Sequence, residues 1–134
     1  PGEWTSPTRA QAWCFGPTPP WLADVALDTP YRLFGPQDDP REASKDQEPD
    51  AIAVLDTGSW AQLEQAHEWL AARRDRVVNV DHHVQGDAEV AAKRHIDTGA
   101  AAVCQPVAEL CRLILGRNSL RDLPPRVAEA NLAA

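Results

Sequence analysis

Two carboxylates and two adjacent imidazoles carry most of the chemistry this sequence offers: Asp56, and the triplet Asp81-His82-His83. Each group stands where a short apolar run ends. Asp56 follows Ala51-Ile52-Ala53-Val54-Leu55, and Asp81 follows Val77-Val78-Asn79-Val80. Carboxylate oxygen with imidazole nitrogen suits Mn2+, Mg2+ or Zn2+, and the lack of a cysteine beside them disfavours a structural zinc. The reaction that calls for such donors is hydrolysis at phosphorus, in which bound cations lower the pKa of a water and neutralise charge on the phosphoryl group. A single aspartate at a strand end is more often a turn or helix cap. Recurrence of the pattern at two strand ends favours a site.

The elements that must position these groups read as strand, helix, strand. The two apolar runs have strand length and the continuous hydrophobicity of strands buried on both faces. Between them, Ser59-x-x-Gln62 is a capping-box pattern, Leu63, Ala66 and Leu70 share one helical face, and Arg73 and Arg74 complement the far end of the helix dipole. Such a unit of about thirty residues is a βαβ crossover with parallel strands. Ligand sites of open parallel sheets gather at the carboxyl edge, where neighbouring strands about 5 Å apart would bring Asp56, Asp81 and His82 to one place. Gln85 to Arg94 shows no clear period and reads as a polar connection. His67, on the intervening helix, and His95, in that connection, read as solvated or packing residues. Val103, Val107, Leu110, Cys111 and Ile114 mark a later helix that starts just before Pro106 and ends at Gly116. Pro124-Pro125 open a last helical segment with Val127, Ala128 and Leu132.

The front of the chain is different. Nine of the twelve prolines precede Ala51. Residues 1–49 therefore read as a Pro-rich loop region with one short strand around Gln11-Ala12-Trp13-Cys14-Phe15, part of the same domain as the βαβ core and helices of 50–134. Trp13, Phe15, Trp21, Tyr31 and Phe34 are expected as packing anchors, and Asp38 to Asp50 as a solvated loop. A net charge of −7 speaks against gripping long nucleic acid by bulk electrostatics, so phosphate binding falls to cations and local basic groups. Three cysteines without C-x-x-C spacing suit a reducing, cytoplasmic setting, and no apolar run reaches membrane-spanning length. The first residue is Pro1, not Met, which suggests either a fragment or a start from an altered reading.

Two blocks resemble the signature motifs of the DHH phosphoesterases. Ala53-Val54-Leu55-Asp56-Thr57-Gly58-Ser59 is similar to the second motif of that family, and Val77-Val78-Asn79-Val80-Asp81-His82-His83 to the third. The resemblance implies a three-layer α/β fold with a parallel, Rossmann-like sheet, and two Mn2+ ions (alternatively Mg2+). Carried over, Asp56 would bridge the ions, His82 would bind one of them, His83 would face the substrate phosphate, and Asp81 would orient the imidazoles. The branch it resembles, oligoribonucleases and phosphoadenosine phosphatases, hydrolyses phosphodiesters or phosphomonoesters of short nucleotides such as nanoRNA, cyclic dinucleotides or adenosine bisphosphates with a metal-bound hydroxide. The first motif, a histidine and two aspartates, has no counterpart here, since no histidine precedes His67. Asp97-Thr98-Gly99 has the wording of the fourth motif but precedes a helix instead of ending a strand, and reads as a lookalike. The fourth motif proper and the smaller substrate domain that follow in the family are likewise missing, so the expected sheet is incomplete. The alternative to an enzyme is a non-catalytic nucleotide-binding or interaction remnant of the family, because two ligands cannot fix a binuclear site.

Overall fold

Five short strands, all paired in parallel, run through the computed structural model, which describes residues 10–17, 19–26, 31–45, 48–87 and 89–125. The first sheet is two-stranded. β1 (Ala12–Phe15) pairs with β2 (Tyr31–Phe34), in register Trp13 to Arg32, with the five-residue helix α1 (Leu22–Ala26) between them in sequence. A single strand was expected before Ala51; β2 is a second. Its four residues are too few to show a period, and three of them face solvent. Phe34 is buried and lies 4.7 Å from Phe15 and 4.9 Å from Trp13, ring centre to ring centre, so these three are anchors, whereas Trp21 is exposed.

The segment 38–50 also differs from a solvated loop. Asp39 caps α2 (Pro40–Ser44), accepting the Arg41 N–H at 2.8 Å, and Pro40 fills the first helical position, where no N–H is needed. Ser44 is buried and accepts the Trp69 indole N–H at 2.7 Å, which ties the helix to the core.

The second sheet has the order β3 (Ile52–Leu55), β4 (Val77–Asp81), β5 (Lys93–Ile96), with Leu55 opposite Val80 and Asp81 opposite Ile96. Its central strand is the most buried; β3 buries only Val54 fully and leaves Ala53 and Leu55 exposed, against the two-sided burial expected. β5 begins at Lys93, inside the stretch read as a polar connection, and runs past its end to Ile96. Lys93-Arg94-His95 is polar because β5 is an edge strand with those three residues exposed, and charge on an edge opposes pairing with other chains.

Between β3 and β4 the helix is shorter than the capping pattern implies. A 3-10 turn at Glu64–Ala66 leads into α3 (His67–Ala71). The Gln62 side chain accepts the Thr57 and Ser59 hydroxyls, and the Trp60 N–H goes to Asp87 at 2.7 Å, so the reciprocal cap at Ser59 does not form. The expected face is still the buried one: Leu63, Ala66 and Leu70 pack with Trp69, Val54, Val77 and Val90. Burying each leucine or valine of this set contributes about 1.5–3 kcal/mol. Arg73 lies over the Trp69 ring, 4.8 Å from its centre, and forks onto Glu48 at 2.8 and 2.9 Å.

After β5 comes α4 (Cys104–Ile114), which begins two residues before Pro106 as expected. Gly116 ends it at φ 61°, with the Arg117 N–H on the Arg112 carbonyl and the Gly116 N–H on Leu113, a left-handed glycine closure. The segment expected as a last helix, with Val127, Ala128 and Leu132, lies outside the described residues. Among the described residues no helix is long and apolar enough to cross a membrane.

Candidate metal centre

β4 ends at Asp81, and both of its neighbours reach out to it. The Asp56 N–H donates to the Val80 carbonyl and the Asp97 N–H to the Asp81 carbonyl, each at 3.0 Å. Three chain segments therefore leave the sheet side by side at one carboxyl edge.

Asp56 turns away immediately. Its φ is 60°, in the left-handed region that aspartate tolerates better than most residues because its short polar side chain can bond locally. Asn79, fully buried on β4, holds this turn: its Nδ2 donates to the Thr57 carbonyl at 2.7 Å and to the Val54 carbonyl at 3.3 Å. Gly58 then passes close to β4. A Cβ there would stand 3.1 Å from Asn79 Oδ1 and 3.4 Å from Asp81 Oδ2, so glycine is what lets the turn approach.

The result is that Asp56, His82 and His83 each offer a ligand atom, and these atoms lie within 4.8 Å of one another. His82 Nε2 is 3.4 Å from Asp56 Oδ1. Two ligand atoms about 2.1 Å from one ion would lie about 3.0–3.4 Å apart, depending on coordination angle, so this pair fits a shared cation. The hydrogen bonding fits as well. His82 Nδ1 is 3.2 Å from the Ala100 carbonyl, and a carbonyl only accepts. Nδ1 therefore carries a proton, and in the neutral ring Nε2 has its lone pair toward Asp56, the arrangement in which a ligating histidine donates its other N–H to the protein.

Asp81 does not face that gap. Its carboxylate is buried, and Oδ1 accepts three N–H groups: the His83 ring at 2.6 Å and the backbone of His82 and His83 at 2.7 and 3.2 Å. Burial pushes its pKa up, but the His83 ring and the two backbone donors together outweigh it and hold the carboxyl below its ordinary range. The hydrogen bond and charge of Asp81 in turn raise His83, with Asp56 adding to the effect. Asp81 and His83, with Gly58, Ser59, Gln62, Val84 and Gln85, line an open cavity of about 630 Å3. A separate cavity of about 500 Å3, lined in part by Arg41, Trp60, His67 and Trp69, borders none of the metal-capable residues.

All four residues singled out in the sequence thus lie at one edge, with three converging and Asp81 behind His83. His67 sits instead against the Trp60 ring, 4.3 Å between ring centres, and His95 is exposed on β5. Asp97 does follow a strand, contrary to its reading as part of a connection, yet it is not in the converging group; its Oδ1 accepts the Gly99 N–H at 3.0 Å. The sequence reading gave no role to Asn79 or to the Ala100 carbonyl. Asn79 had a signal, a lone amide within a valine run; a backbone carbonyl has none.

No protein-family model matches the sequence, and no curated protein matches it. Among solved structures the fold is similar to that of an exopolyphosphatase-related protein from Bacteroides fragilis, at a TM-score of 0.55 and 15% identity. The likeness covers 91% of this chain and 43% of that one, so the chain spans less than half the length of its neighbour. At that identity the likeness speaks for the fold: this is an α/β protein of Rossmann-like type built on parallel sheets.

Proposed function

We propose that this chain carries a divalent-cation and phosphate site of the DHH phosphoesterase type, serving hydrolysis of a phosphoester in a short nucleotide. The observation that carries the reading is the convergence of Asp56, His82 and His83 at one carboxyl edge, with His82 Nε2 left free by its bond to Ala100. The fold neighbour, named as exopolyphosphatase-related, is of the same broad class. A Mn2+ or Mg2+ ion held there would supply Lewis acidity and neutralise phosphoryl charge. Asp56 and His82 hold that ion. His83 is held protonated by Asp81 to higher pH than usual, which suits it to donate an N–H to a phosphate oxygen rather than to act as a ligand. The Gly58–Gln62 turn and Val84-Gln85 wall the space in which the nucleotide sits.

The two donors leave much of an octahedral shell to water and phosphate. That observation favours, as a second reading, nucleotide binding without turnover, and 1–134 alone is expected to hydrolyse negligibly. The test uses Mn2+ and adenosine 3′,5′-bisphosphate. Paramagnetic broadening of the phosphorus NMR lines should appear with the wild type, persist weakly in His83→Ala with Mn2+ affinity intact, and vanish in His82→Ala. Equal broadening in all three would overturn the reading. Hydrolysis at an ordinary enzymatic rate, abolished by His82→Ala, would reject the non-catalytic alternative.

A further inference from the structure

Asp97-Thr98-Gly99 lies at the edge of the site without joining it, and what it does shape is the turn that leads into the Ala100–Ala101 peptide. Asp97 opens a tight turn: its carboxylate accepts the Gly99 N–H at 3.0 Å and its carbonyl the Ala100 N–H at 3.1 Å. Aspartate at the first position of such a turn is favoured for this side-chain bond. The turn starts from a fixed point, since the Asp97 N–H is bonded to the Asp81 carbonyl at 3.0 Å, one residue before His82. On the other side, Gln105 in the first turn of α4 accepts the Ala101 N–H at 2.7 Å.

The Ala101 N–H and the Ala100 carbonyl belong to one planar peptide group, so fixing the N–H fixes the direction of the oxygen. That oxygen is the partner of His82 Nδ1 at 3.2 Å. This peptide therefore follows a turn that Asp97 closes, is itself held by Gln105, and presents its acceptor to the imidazole. We propose that Asp97 and Gln105 are positioning residues that aim the Ala100 carbonyl so that it fixes His82 as the Nδ1–H tautomer, with Nε2 free toward Asp56. The consequence for cation affinity rests on the metal reading above; the consequence for the tautomer does not. Neither residue needs to touch the cation. Both are exposed, so replacing them leaves the core intact.

The test is nitrogen-15 NMR of the histidine rings in metal-free protein at about pH 8.5, above the ordinary imidazole range. The His82 signals are assigned by their loss in His82→Gln. Wild type should show the Nδ1–H form. Asp97→Ala and Gln105→Ala should shift His82 toward Nε2–H, the double variant most. Asp97→Asn and Gln105→Glu keep an acceptor oxygen and should retain the wild-type form. The same proteins are then titrated with Mn2+: the alanine variants should bind about three- to tenfold more weakly, a smaller loss than for direct partners of a ligand, and the conservative variants within about twofold of wild type. An unchanged tautomer in the double alanine variant overturns the proposal. So does Asp97→Asn weakening Mn2+ as much as Asp97→Ala, since that is the behaviour of a ligand. If wild type binds no Mn2+ while the tautomer responds as stated, the metal reading fails and the positioning role stands.

Discussion

At the scale of single residues, the site works by dividing labour among groups that look alike in sequence. Asp56 is exposed and turned out on a left-handed backbone, while Asp81 is buried and spends one oxygen on three N–H groups. The two histidines differ in the same way. His82 Nδ1 faces a neutral carbonyl; His83 Nδ1 faces a carboxylate, which raises its pKa. The Asp81–His83 pair sets a pH dependence. The folded pKa of Asp81 is depressed, so its contribution is present above the unfolded carboxylate value and is lost as pH falls through the folded one. The folded pKa of His83 is raised, so its contribution is complete below the ordinary imidazole value and is lost as pH rises through the raised one. Thermal melts across pH should therefore plateau between the carboxylate and imidazole ranges and fall on either side. His83→Gln should remove the fall on the alkaline side; an identical profile would show that the pair contributes nothing to folding.

At the scale of elements, one helix face and one central strand position everything. α3 and the turn before it press Leu63, Ala66 and Leu70 onto β3 and β4 and so fix where those strands end. Leu70 is 2% exposed, and Leu70→Ala should cost about 2–5 kcal/mol, read as a fall in denaturation midpoint at constant m-value. A cost below about 1 kcal/mol would mean the core is organised otherwise. The parts of this arrangement legible in sequence are those with long or distinctive patterns. β3 and β4 announce themselves by valine and isoleucine runs, and α4 by eleven residues of period and a closing glycine. β2 and β5 do not, because each is four residues long with at most one buried side chain, and an exposed edge strand has no reason to be apolar. The capping box misleads for a physical reason too: the Thr57 and Ser59 hydroxyls both turn to the Gln62 side chain, so residues that spell a helix start build a turn beside the site. Asp97 shows the converse. Its motif wording was legible, but its strand end was not, because Lys93-Arg94-His95 conceals β5.

At the scale of the whole molecule, the first parallel sheet packs on α3 through an aromatic contact, Trp13 lying 4.8 Å from Trp69, and the second sheet delivers the polar edge. The chain is acidic overall, so in the proposed reading attraction of a phosphate would depend on a cation at Asp56 and His82. This makes metal binding the hinge of the account. The most direct test is Mn2+ titration of wild type, Asp56→Asn and His82→Ala, followed by electron paramagnetic resonance of the free ion. Asparagine tolerates the left-handed turn at position 56, so Asp56→Asn should fold normally and lose only the charged donor. The prediction is one saturable site in the wild type, weakened at least about tenfold by either substitution. Mn2+ binding that is absent from the wild type, or unchanged in both variants, would contradict it.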